Sequence, residues 1–585
     1  MDRSWPETLR ATPRFRAQLF AVKQKTFFAA GSRYFSHVPS APTHSVLRRA
    51  FIFCVLCFAV FRFSDSTVDT DLWGHVLFGE EFLQTHHLAR SEPYSWTAPG
   101  HRWINHEIIA EAALGLAHRA LGGPGLLLLK TTVGLLTFLI AVAMAAERGG
   151  GTAQSSGELR LRSGTVAWAF GALAVVEISY GFAARPQIFT ALAVVLEFWL
   201  LKQIHAGHWR WAFALPPLFV LWINTHGGVL AGMMVLFVAA AGTTAQPVAC
   251  NIVPRPLRAR LALEAAPGTA LWLWLSFAAS GLALFANPYG FELVRWLIGS
   301  VQWLRPEIGE WDPPRPGSGH TAFFLCAAVA AAGVLCSRRP IVLWEFVSAS
   351  VIGFMAFRSM RHTPLFCLAA LTFAPPHLAS AFERLSGLFA RWTALCRRPI
   401  LQTILTALMV LVTSGILFAT FAPRKGRAWT MEISRQQYPV AAVEFIKQHG
   451  LQGNLLVFFD WGEECLWELP DSRVSIDGRL DTCYPRAVIA AQLKFYNAEP
   501  FDPTALDLSQ ADFALLPSDM ASAVQLGQRG GWQAVYFDER ALVLARNAGQ
   551  FPKLSGLKLP VEGVAMTNGW AHFPDRPSGR LSTAK

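Results

Sequence analysis

Charged side chains are scarce in this sequence. Asp, Glu, Lys and Arg make up 15% of the 585 residues, whereas 53% are hydrophobic and 12% are aromatic. Soluble globular proteins average about 25% charged residues. The low charge excludes an ordinary soluble protein and favours a chain that crosses a membrane many times.

Signatures of nucleotide and nucleic-acid binding are missing as well. The phosphate-binding patterns GxGxxG and GxxxxGK[ST] are both absent. The net charge of +12 is unevenly spread, since residues 1–49 carry nine Lys or Arg against Asp2 and Glu7, while residues 424–585 are nearly balanced. No basic patch is combined with an aromatic stacking surface, so we predict no nucleic-acid partner and assign the basic excess to membrane flanks.

The sequence has few cysteines, and they show no zinc-type spacing. Most of the nine lie in apolar runs, where a thiol behaves as a small hydrophobic group. Cys465 and Cys483 lie in a polar region, and a disulfide between them stays open if that region is outside the cytoplasm.

A cleavable signal pattern is also lacking, because the first long apolar run begins near residue 50 and no small-residue cleavage site follows it. We interpret that run as an uncleaved membrane anchor.

Long apolar runs are abundant. With about 17 to 25 apolar residues as one crossing, the sequence predicts an all-α polytopic membrane domain, 46–422, of about eleven transmembrane helices. The predicted crossings are 47–64, 123–145, 164–183, 187–204, 210–224, 227–244, 269–287, 320–337, 341–357, 363–381 and 400–421. Every second connection is rich in Arg or Lys, which places the basic segment 1–45 in the cytoplasm and the region after 422 outside.

Polar motifs gather on the opposite, outer side. After the pair Asp69 and Asp71 come HEIIAE, ARPQ, NTHGG, ANPYG, RPEIGEWDPP and FRSMRH. A bare connection between helices needs only turn-forming residues, so this asymmetry predicts that the outer helix ends surround a polar, water-accessible cavity. The candidate site residues are Asp69, Asp71, His106, Glu107, Arg185, Asn224, His226, Glu310, Arg358 and Arg361.

The first outer loop, 65–122, is too apolar to be free coil. Apolar residues recur at near-helical spacing from Leu72 and again from Ile108, which predicts two amphipathic helices lying on the membrane interface. Three aromatic residues favour the same placement: Trp73, Trp96 and Trp103. Asp71 stands at the start of the first helix, where a carboxylate is favoured by the helix dipole, so a purely capping role for Asp71 stays open.

The sequence turns polar from Pro423 onward. Buried strands are predicted at 455–459, in RVSIDGR and in ADFALLP, and a hairpin in WQAVYFDERALVLAR. These elements predict a soluble C-terminal α/β domain, 423–548, followed by an irregular tail, 549–585. The DWGEE and DGR motifs lie at strand ends, where α/β sheets commonly bind ligands. Asp477 and Arg479 equally suit one structural ion pair that holds a turn.

The motifs DTDLW, HE, ARPQ, NTHGG, NPYG and RH, followed by DWGEE and IDGR, form an ordered pattern. Over residues 46–546 it resembles the GT-C class of polyprenyl-phosphate-dependent glycosyltransferases, and within that class bacterial members of the protein mannosyltransferase and lipid A aminoarabinose transferase type. The resemblance implies an inner-membrane protein with a periplasmic C-terminal domain. It also implies that a sugar is transferred, with inversion, from a polyprenyl-phosphate donor to a lipid, glycan or protein acceptor outside the cytoplasm.

The resemblance further implies that an acidic residue of the first outer loop acts as a base or a metal ligand. In this sequence that residue is Asp69 or Asp71, and Glu107 and Glu310 are available as the second acidic residue. A divalent metal stays undecided, because a D-x-D pair with a nearby Glu offers oxygen ligands but two carboxylates alone make a weak site.

The residue types suit this chemistry. A sugar hydroxyl is a poor nucleophile and needs a carboxylate to accept its proton, a contribution of roughly 10²- to 10⁴-fold, and Asp71 is the predicted base. The lipid phosphate gains negative charge as it leaves, so we expect it to be stabilised by guanidinium groups. Those groups are Arg185, Arg358 and Arg361.

Three further residues are predicted to bind sugar hydroxyls or to orient the carboxylates: His106, Asn224 and His226. Each of them equally suits a helix end whose polar groups it satisfies.

Two other functions stay open for the whole protein. One is a transporter or flippase for a lipid-linked or small polar substrate, although the sequence shows neither the midmembrane charges nor the inverted repeats expected of it. The other is a non-catalytic protein of envelope assembly.

Overall fold

The structure is a computed structural model that describes residues 42–147, 156–254, 258, 260–261, 265–301, 309–385, 398–422, 429–497, 506–563 and 569–573. Most of the predicted basic segment 1–45 lies outside these residues. The described chain divides into a helical part and a mixed α/β part, as predicted.

The eleven predicted crossings are all helical, because a helix satisfies the backbone of a long apolar run internally. Two of them are not single α-helices: 210–224 is a 3₁₀ helix followed by a short α-helix, and 363–381 is a pair of helices bent by 54°. The helices up to residue 421 are α1 (Pro42–Phe63), α2 (Leu72–Thr85), α3 (Ile108–Leu121), α4 (Gly123–Glu147), α5 (Ser156–Ile178), α6 (Gln187–His205), α7 (Leu215–Ile223), α8 (Val229–Ile252), α9 (Thr269–Ala283), α10 (Phe291–Val301), α11 (Thr321–Cys336), α12 (Leu343–Arg358), α13 (Thr363–Phe373), α14 (Pro375–Arg384) and α15 (Pro399–Phe421).

Not all of these helices are long enough to cross a membrane by themselves. Within the described residues, five are long and apolar enough, namely α4, α5, α6, α8 and α15, and a sixth forms if the bent pair of α13 and α14 counts as one. Three shorter apolar helices cover three more predicted crossings: Trp209–Ile223, Thr269–Ala283 and Thr321–Cys336. Short spans are accommodated by local thinning of the bilayer and by packing against neighbours. The protein is a multi-pass membrane protein.

The first outer loop forms the two predicted helices, α2 and α3, but their environment differs from the prediction. Leu72, Trp73 and Val76 are fully buried within the protein and share one hydrophobic core with the C-terminal domain. The Trp73 ring packs 4.8 Å from that of Tyr438, and Trp96 and Trp103 are buried too. The expectation that α2 lies on the membrane interface is therefore wrong, because its apolar face is covered by the C-terminal domain, whereas α3 keeps Leu116 and Leu121 exposed and its interfacial placement stays a prediction.

The C-terminal domain contains the predicted strands and extends beyond them. Its strands are β1 (Glu432–Ser434), β2 (Gly453–Val457), β3 (Ser472–Val474), β4 (Phe513–Pro517), β5 (Trp532–Phe537), β6 (Ala541–Arg546), β7 (Val561–Glu562) and β8 (Trp570–His572). Its α-helices are α16 (Val440–His449), α17 (Gly462–Glu468), α18 (Arg486–Asn497) and α19 (Ala521–Gly527). The segment predicted to be an irregular tail contributes β7 and β8, so the domain continues past residue 548.

A six-stranded sheet, in the order β3-β2-β4-β6-β5-β7, forms the centre of this domain, and β1 pairs with β8 in a second sheet. β2 runs parallel to β3 and to β4, so the loops after β2 and β3 emerge at the same edge of the sheet. These two loops carry the DWGEE and DGR motifs. The first outer loop is attached nearby, since Ser95 bridges to Val474 of β3 and the Trp96 Nε1–H donates to the Leu455 carbonyl at 3.0 Å.

Cys465 and Cys483 are both buried free thiols. The disulfide left open by the sequence is therefore not formed.

Candidate functional site

Asp69 and Asp71 lie in the short link between α1 and α2, on the side covered by the C-terminal domain. Asp69 Oδ1 accepts the Asp71 N–H at 3.1 Å, which holds the turn. Asp71 occupies the N-cap position of α2, yet its side chain makes no capping hydrogen bond. Glu463 of the C-terminal domain accepts the Gly74 N–H at 3.0 Å instead. The capping role left open for Asp71 is therefore taken by another residue.

Arg185 brings three carboxylates together. It lies between α5 and α6, where its guanidinium pairs with Asp69 and lies 3.3 Å from Asp71 Oδ2 and 3.5 Å from Glu310 Oε1. Three connections that are far apart in the chain thus meet at one side chain. Burial alone would lower the pKa of Arg185, but the three carboxylates raise it well above its usual value. The guanidinium is therefore permanently charged.

Glu310 extends this group toward a second arginine. Its Oε2 lies 3.8 Å from Arg361 Nη1, and the Arg361 guanidinium stands over the ring of Trp311 at 5.5 Å. We name Asp69, Asp71, Arg185, Glu310 and Arg361 the arginine cluster. Arg358 is exposed at the last residue of α12, so the contacts that join the arginine cluster do not include it.

The surroundings of Asp71 raise the pKa of its carboxylate and so favour its binding of a proton. Burial raises the pKa of Asp71, and the nearby carboxylates of Asp69 and Glu310 act in the same direction. Arg185 and His75 oppose this shift, but the net pKa lies above its usual value. A base works best when its pKa is near the operating pH, so this upward shift suits a carboxylate that takes a proton from a hydroxyl group.

A second polar group lies around Glu107, immediately before α3. Glu107 Oε1 is 3.8 Å from His106 Nε2 and 3.7 Å from His226 Nε2, while Glu111 Oε1 is 3.6 Å from His75 Nδ1. These distances exceed those of direct hydrogen bonds and leave room for a bridging hydroxyl or water. We name His75, His106, Glu107, Glu111 and His226 the histidine cluster.

The tautomer of His226 follows from its neighbours. Its Nδ1 lies 3.0 Å from the Gly228 N–H and must accept that bond, and Thr190 Oγ1 lies 2.9 Å from the same nitrogen. Burial lowers the pKa of His226 to about 3, so the ring is neutral at physiological pH. A neutral ring with an accepting Nδ1 carries its proton on Nε2, which points toward Glu107.

The two clusters are joined through His75, which lies one turn after Asp71 on α2. Burial alone would lower the pKa of His75, but Glu111, Glu107 and Asp71 raise it above its usual value. Burial would likewise raise the pKa of Glu107, yet His106 and its other basic neighbours lower it. Glu107 is therefore an ionised carboxylate beside a line of basic groups that reaches Asp71.

Asn224 lies next to the histidine cluster, but its amide is already engaged. Its Nδ2 donates to the Val220 carbonyl at 2.8 Å and to the Ala286 carbonyl at 2.9 Å. The amide nitrogen therefore serves the end of α7, as the helix-end alternative for Asn224 anticipates.

Sequence reasoning assigned no site role to His75, Glu111 and Glu463, although the HEIIAE and DWGEE motifs that it singled out contain Glu111 and Glu463. The first two were detectable, because His75 follows Asp71 by four residues and Glu111 follows Glu107 by four, so each pair shares one helix face. Glu463 gave no such signal. It belongs to a different domain, and its part in the site depends on how that domain packs over α2.

The DGR motif of the C-terminal domain forms a buried ion pair. The Arg479 Nε–H donates to Asp477 Oδ1 at 2.8 Å, and Arg479 Nη1 lies 2.5 Å from Glu92 Oε2 of the first outer loop. Aromatic rings enclose the guanidinium: Phe78, Tyr94, Trp103 and Tyr484. The motif therefore makes the structural ion pair that the sequence left open, and this pair fastens the C-terminal domain to the first outer loop.

In the described part of the chain, no group of three or more His, Cys, Asp or Glu is arranged to hold a metal ion. Arg185 occupies the space between Asp69, Asp71 and Glu310, where a cation would otherwise neutralise these carboxylates. The carboxylates in this arrangement thus do not fit a metal centre.

No protein-family model matches the sequence, and no curated protein matches it. Solved structures do. The chain is similar to an oligosaccharyltransferase from Archaeoglobus fulgidus in the apo form, with a TM-score of 0.51 and 13% identity over 84% of this chain and 72% of that one. The archaeal oligosaccharyltransferase from the same organism, in complex with an inhibitory peptide and a dolichol-phosphate, gives a TM-score of 0.50 at 12% identity over 82% and 71% of the two chains.

A further similar structure is ArnT from Cupriavidus metallidurans bound to undecaprenyl phosphate, with a TM-score of 0.46 and 15% identity over 89% of this chain and 100% of that one. At the level of the fold, the match to the oligosaccharyltransferase confirms the resemblance to GT-C glycosyltransferases. The architecture of a helical membrane part with a C-terminal α/β domain is that of this fold.

Proposed function

We propose that this protein is a membrane glycosyltransferase that moves a sugar from a polyprenyl-phosphate donor to an acceptor on the extracytoplasmic face, with Asp71 as the base. The observation that carries the proposal is the meeting of Asp71, Arg185 and Glu310 in one partly open cluster. These residues come from three connections, and a purely structural arrangement has no need of three carboxylates around one guanidinium.

Asp71 has the position that this proposal requires of a general base, and its pKa is shifted in the direction that such a base needs. Its carboxylate is held by Arg185 from one side and is not committed to the start of α2. Its raised pKa lets it take a proton from an acceptor hydroxyl as that oxygen attacks the anomeric carbon. Attack from the face opposite the leaving phosphate inverts the configuration of that carbon.

The roles of the arginines differ from one another in this proposal. Arg185 is enclosed by carboxylates and fixes their positions. Arg361 is one-third exposed, and its distance of 3.8 Å from Glu310 makes a loose ion pair. A lipid phosphate is a stronger partner for a guanidinium than this loose pair, because it can accept two parallel hydrogen bonds. Arg361, with the exposed Arg358 three residues before it, is therefore the better candidate for the leaving phosphate.

The histidine cluster suits the sugar. The Nε2–H of the neutral His226 is a donor and the Glu107 carboxylate is an acceptor, the two stand 3.7 Å apart without a direct hydrogen bond, and a sugar hydroxyl can both donate and accept. A shallow, open apolar surface near the start of α3 is lined by Ile109, Pro216, Pro217, Val220, Leu221 and Asn224. Such a surface is suited to an isoprenoid chain, and one of the similar oligosaccharyltransferase structures contains a dolichol-phosphate.

The proposal is tested with purified protein and a panel of polyprenyl-phosphate sugars, by measuring released polyprenyl phosphate. The native protein should release it from at least one donor, and Asp71→Asn should lower the rate by about 10²- to 10⁴-fold because the base is lost. Asp471→Asn, on the exposed surface of the C-terminal domain, is the matched control and should keep the native rate.

If Asp71→Asn releases polyprenyl phosphate at the native rate, Asp71 is not the base. If the native protein releases no polyprenyl phosphate but carries a lipid-linked sugar across vesicle membranes, the protein is a flippase and the proposal is wrong.

A further inference from the structure

The start of α2 is capped in an unusual way. The helix begins with Asp71 at the N-cap position, and an N-cap aspartate ordinarily accepts the N–H of the second or third helical residue. Here the third helical residue is Gly74, and its N–H donates to Glu463 Oε2 at 3.0 Å. The side chain of Asp71 makes no capping hydrogen bond and lies 3.3 Å from Arg185 instead.

Two glycines leave space for Glu463 to take the capping position in place of Asp71. A Cβ atom on Gly74 would lie 2.5 Å from the carboxyl carbon of Glu463. A Cβ atom on Gly478 would lie 2.5 Å from Asp71 Oδ1 and 2.8 Å from Glu463 Oε1. The carboxyl groups of Asp71 and Glu463 therefore stand side by side over Gly478, in a place where a side chain on either glycine would collide with them.

Glu463 is suited to hold this position permanently. It is 3% exposed, and it lies on α17, whose start is fixed by the end of β2. Burial, together with the nearby carboxylates of Asp71 and Asp477, raises the pKa of Glu463 well above its usual value. Glutamine has the same length, keeps a carbonyl oxygen that can accept the Gly74 N–H and places no charge beside Asp71, so it is the close chemical mimic of a Glu463 whose pKa is raised.

We propose that Glu463 is a positioning residue that caps α2 in place of Asp71 and thereby turns the Asp71 carboxylate toward Arg185 and the reacting hydroxyl. This inference rests on the proposed function for its catalytic consequence but not for its structural part. If Glu463 is absent, we expect the Gly74 N–H to be taken by the carboxylate of Asp71, which occupies the N-cap position and stands beside that of Glu463 over Gly478. The C-terminal domain thus completes the site on the membrane domain.

The catalytic part is tested by comparing Glu463→Ala with Glu463→Gln in polyprenyl phosphate release. In Glu463→Ala, Asp71 should cap α2 and so leave its position beside Arg185. This should lower kcat by roughly 2- to 30-fold with an unchanged KM. Glu463→Gln keeps an acceptor for Gly74 and should keep most of the native kcat. The control is Glu464→Ala, which removes an equally buried carboxyl from the same helix and should keep the native kcat. Equal losses in Glu463→Ala and Glu463→Gln would overturn the proposal.

The structural part is tested without any activity, by melting temperatures in detergent. Asp71→Ala should leave the melting temperature of the native protein unchanged or higher, because Asp71 caps nothing there. The same substitution in the Glu463→Ala background should lower it, because Asp71 has become the cap. Identical shifts in both backgrounds would overturn the proposal. If no donor supports transfer, the proposed function fails while this measurement still decides whether Glu463 replaces Asp71 at the cap.

Discussion

Two arginines of this protein make contrasting ion pairs. Arg479 is 6% exposed at its side chain, is shared between Asp477 and Glu92, and is enclosed by four aromatic rings. Arg185 is 15% exposed and faces three carboxylates, one of which also reaches Arg361. The first arrangement is sealed from water, whereas the second keeps an open side.

The contrast shows how a structural ion pair differs from a candidate site. A buried pair that is fully surrounded stabilises one geometry and leaves no position for a ligand. An excess of carboxylates around one partly exposed guanidinium is costly in a folded protein, and such arrangements cluster at sites where a ligand or a proton is exchanged. The two arginines should therefore respond differently to the same substitution.

The largest expected effect is on stability, in Arg479→Gln. This change leaves the buried carboxylates of Asp477 and Glu92 without their guanidinium, which should destabilise the fold by about 3 to 5 kcal/mol. The melting temperature in detergent measures the effect. At a temperature where the variant is still folded, its rate of polyprenyl phosphate release per folded molecule should equal the native rate. A lost rate with an unchanged melting temperature would assign Arg479 to the chemistry.

Arg185→Gln should affect the release rate more than the stability, the opposite of Arg479→Gln. Without its guanidinium, the carboxylates of Asp69, Asp71 and Glu310 repel one another and lose the geometry that Asp71 needs, so the release rate should fall by about 10²- to 10³-fold. The loss in melting temperature should be smaller than in Arg479→Gln, because the arginine cluster is more exposed. Arg473→Gln, an exposed arginine on β3, serves as the control. A native rate in Arg185→Gln would show that the arginine cluster is structural as well.

The smallest expected effect is a pH dependence at the open side. The pKa of His75 in the folded protein is raised above its unfolded value of about 6.5. Its stabilising contribution is therefore fully present below that pH and is lost as the pH rises through the folded pKa. The difference in melting temperature between the native protein and His75→Gln should be largest at about pH 6 and should shrink toward pH 9. A constant difference across this range would mean that His75 does not titrate beside Glu111.

Much of the fold could be predicted from the sequence. The eleven apolar runs are all helical, although 210–224 and 363–381 are each broken into two helices. The strands of the C-terminal domain lie where alternating and buried patterns placed them, because both signals are local. The length of each membrane helix was predicted less well, since polar or charged ends shorten the apolar part of several runs. The surroundings of α2 and α3 could not be predicted, because an apolar helix face has the same sequence whether it meets lipid or another domain.

The candidate site was predicted unevenly for the same reason. Asp69, Asp71, Arg185, Glu310 and Arg361 were named from the sidedness of the motifs, and the structure brings them together. Arg358, which was named with them, lies exposed outside their contacts. The disulfide between Cys465 and Cys483, which sequence left open, is not formed.

The sequence by itself determined a multi-span membrane protein with an α/β domain after it and with acidic and basic motifs confined to one set of connections. Hydrophobic runs and charge placement depend on each residue and its neighbours, so they can be read along the chain. Only the tertiary structure decided that Asp69 meets Arg185 across 116 positions and that Glu463 caps a helix 389 positions away. Contacts over such distances arise from the packing of whole elements, which no local pattern encodes.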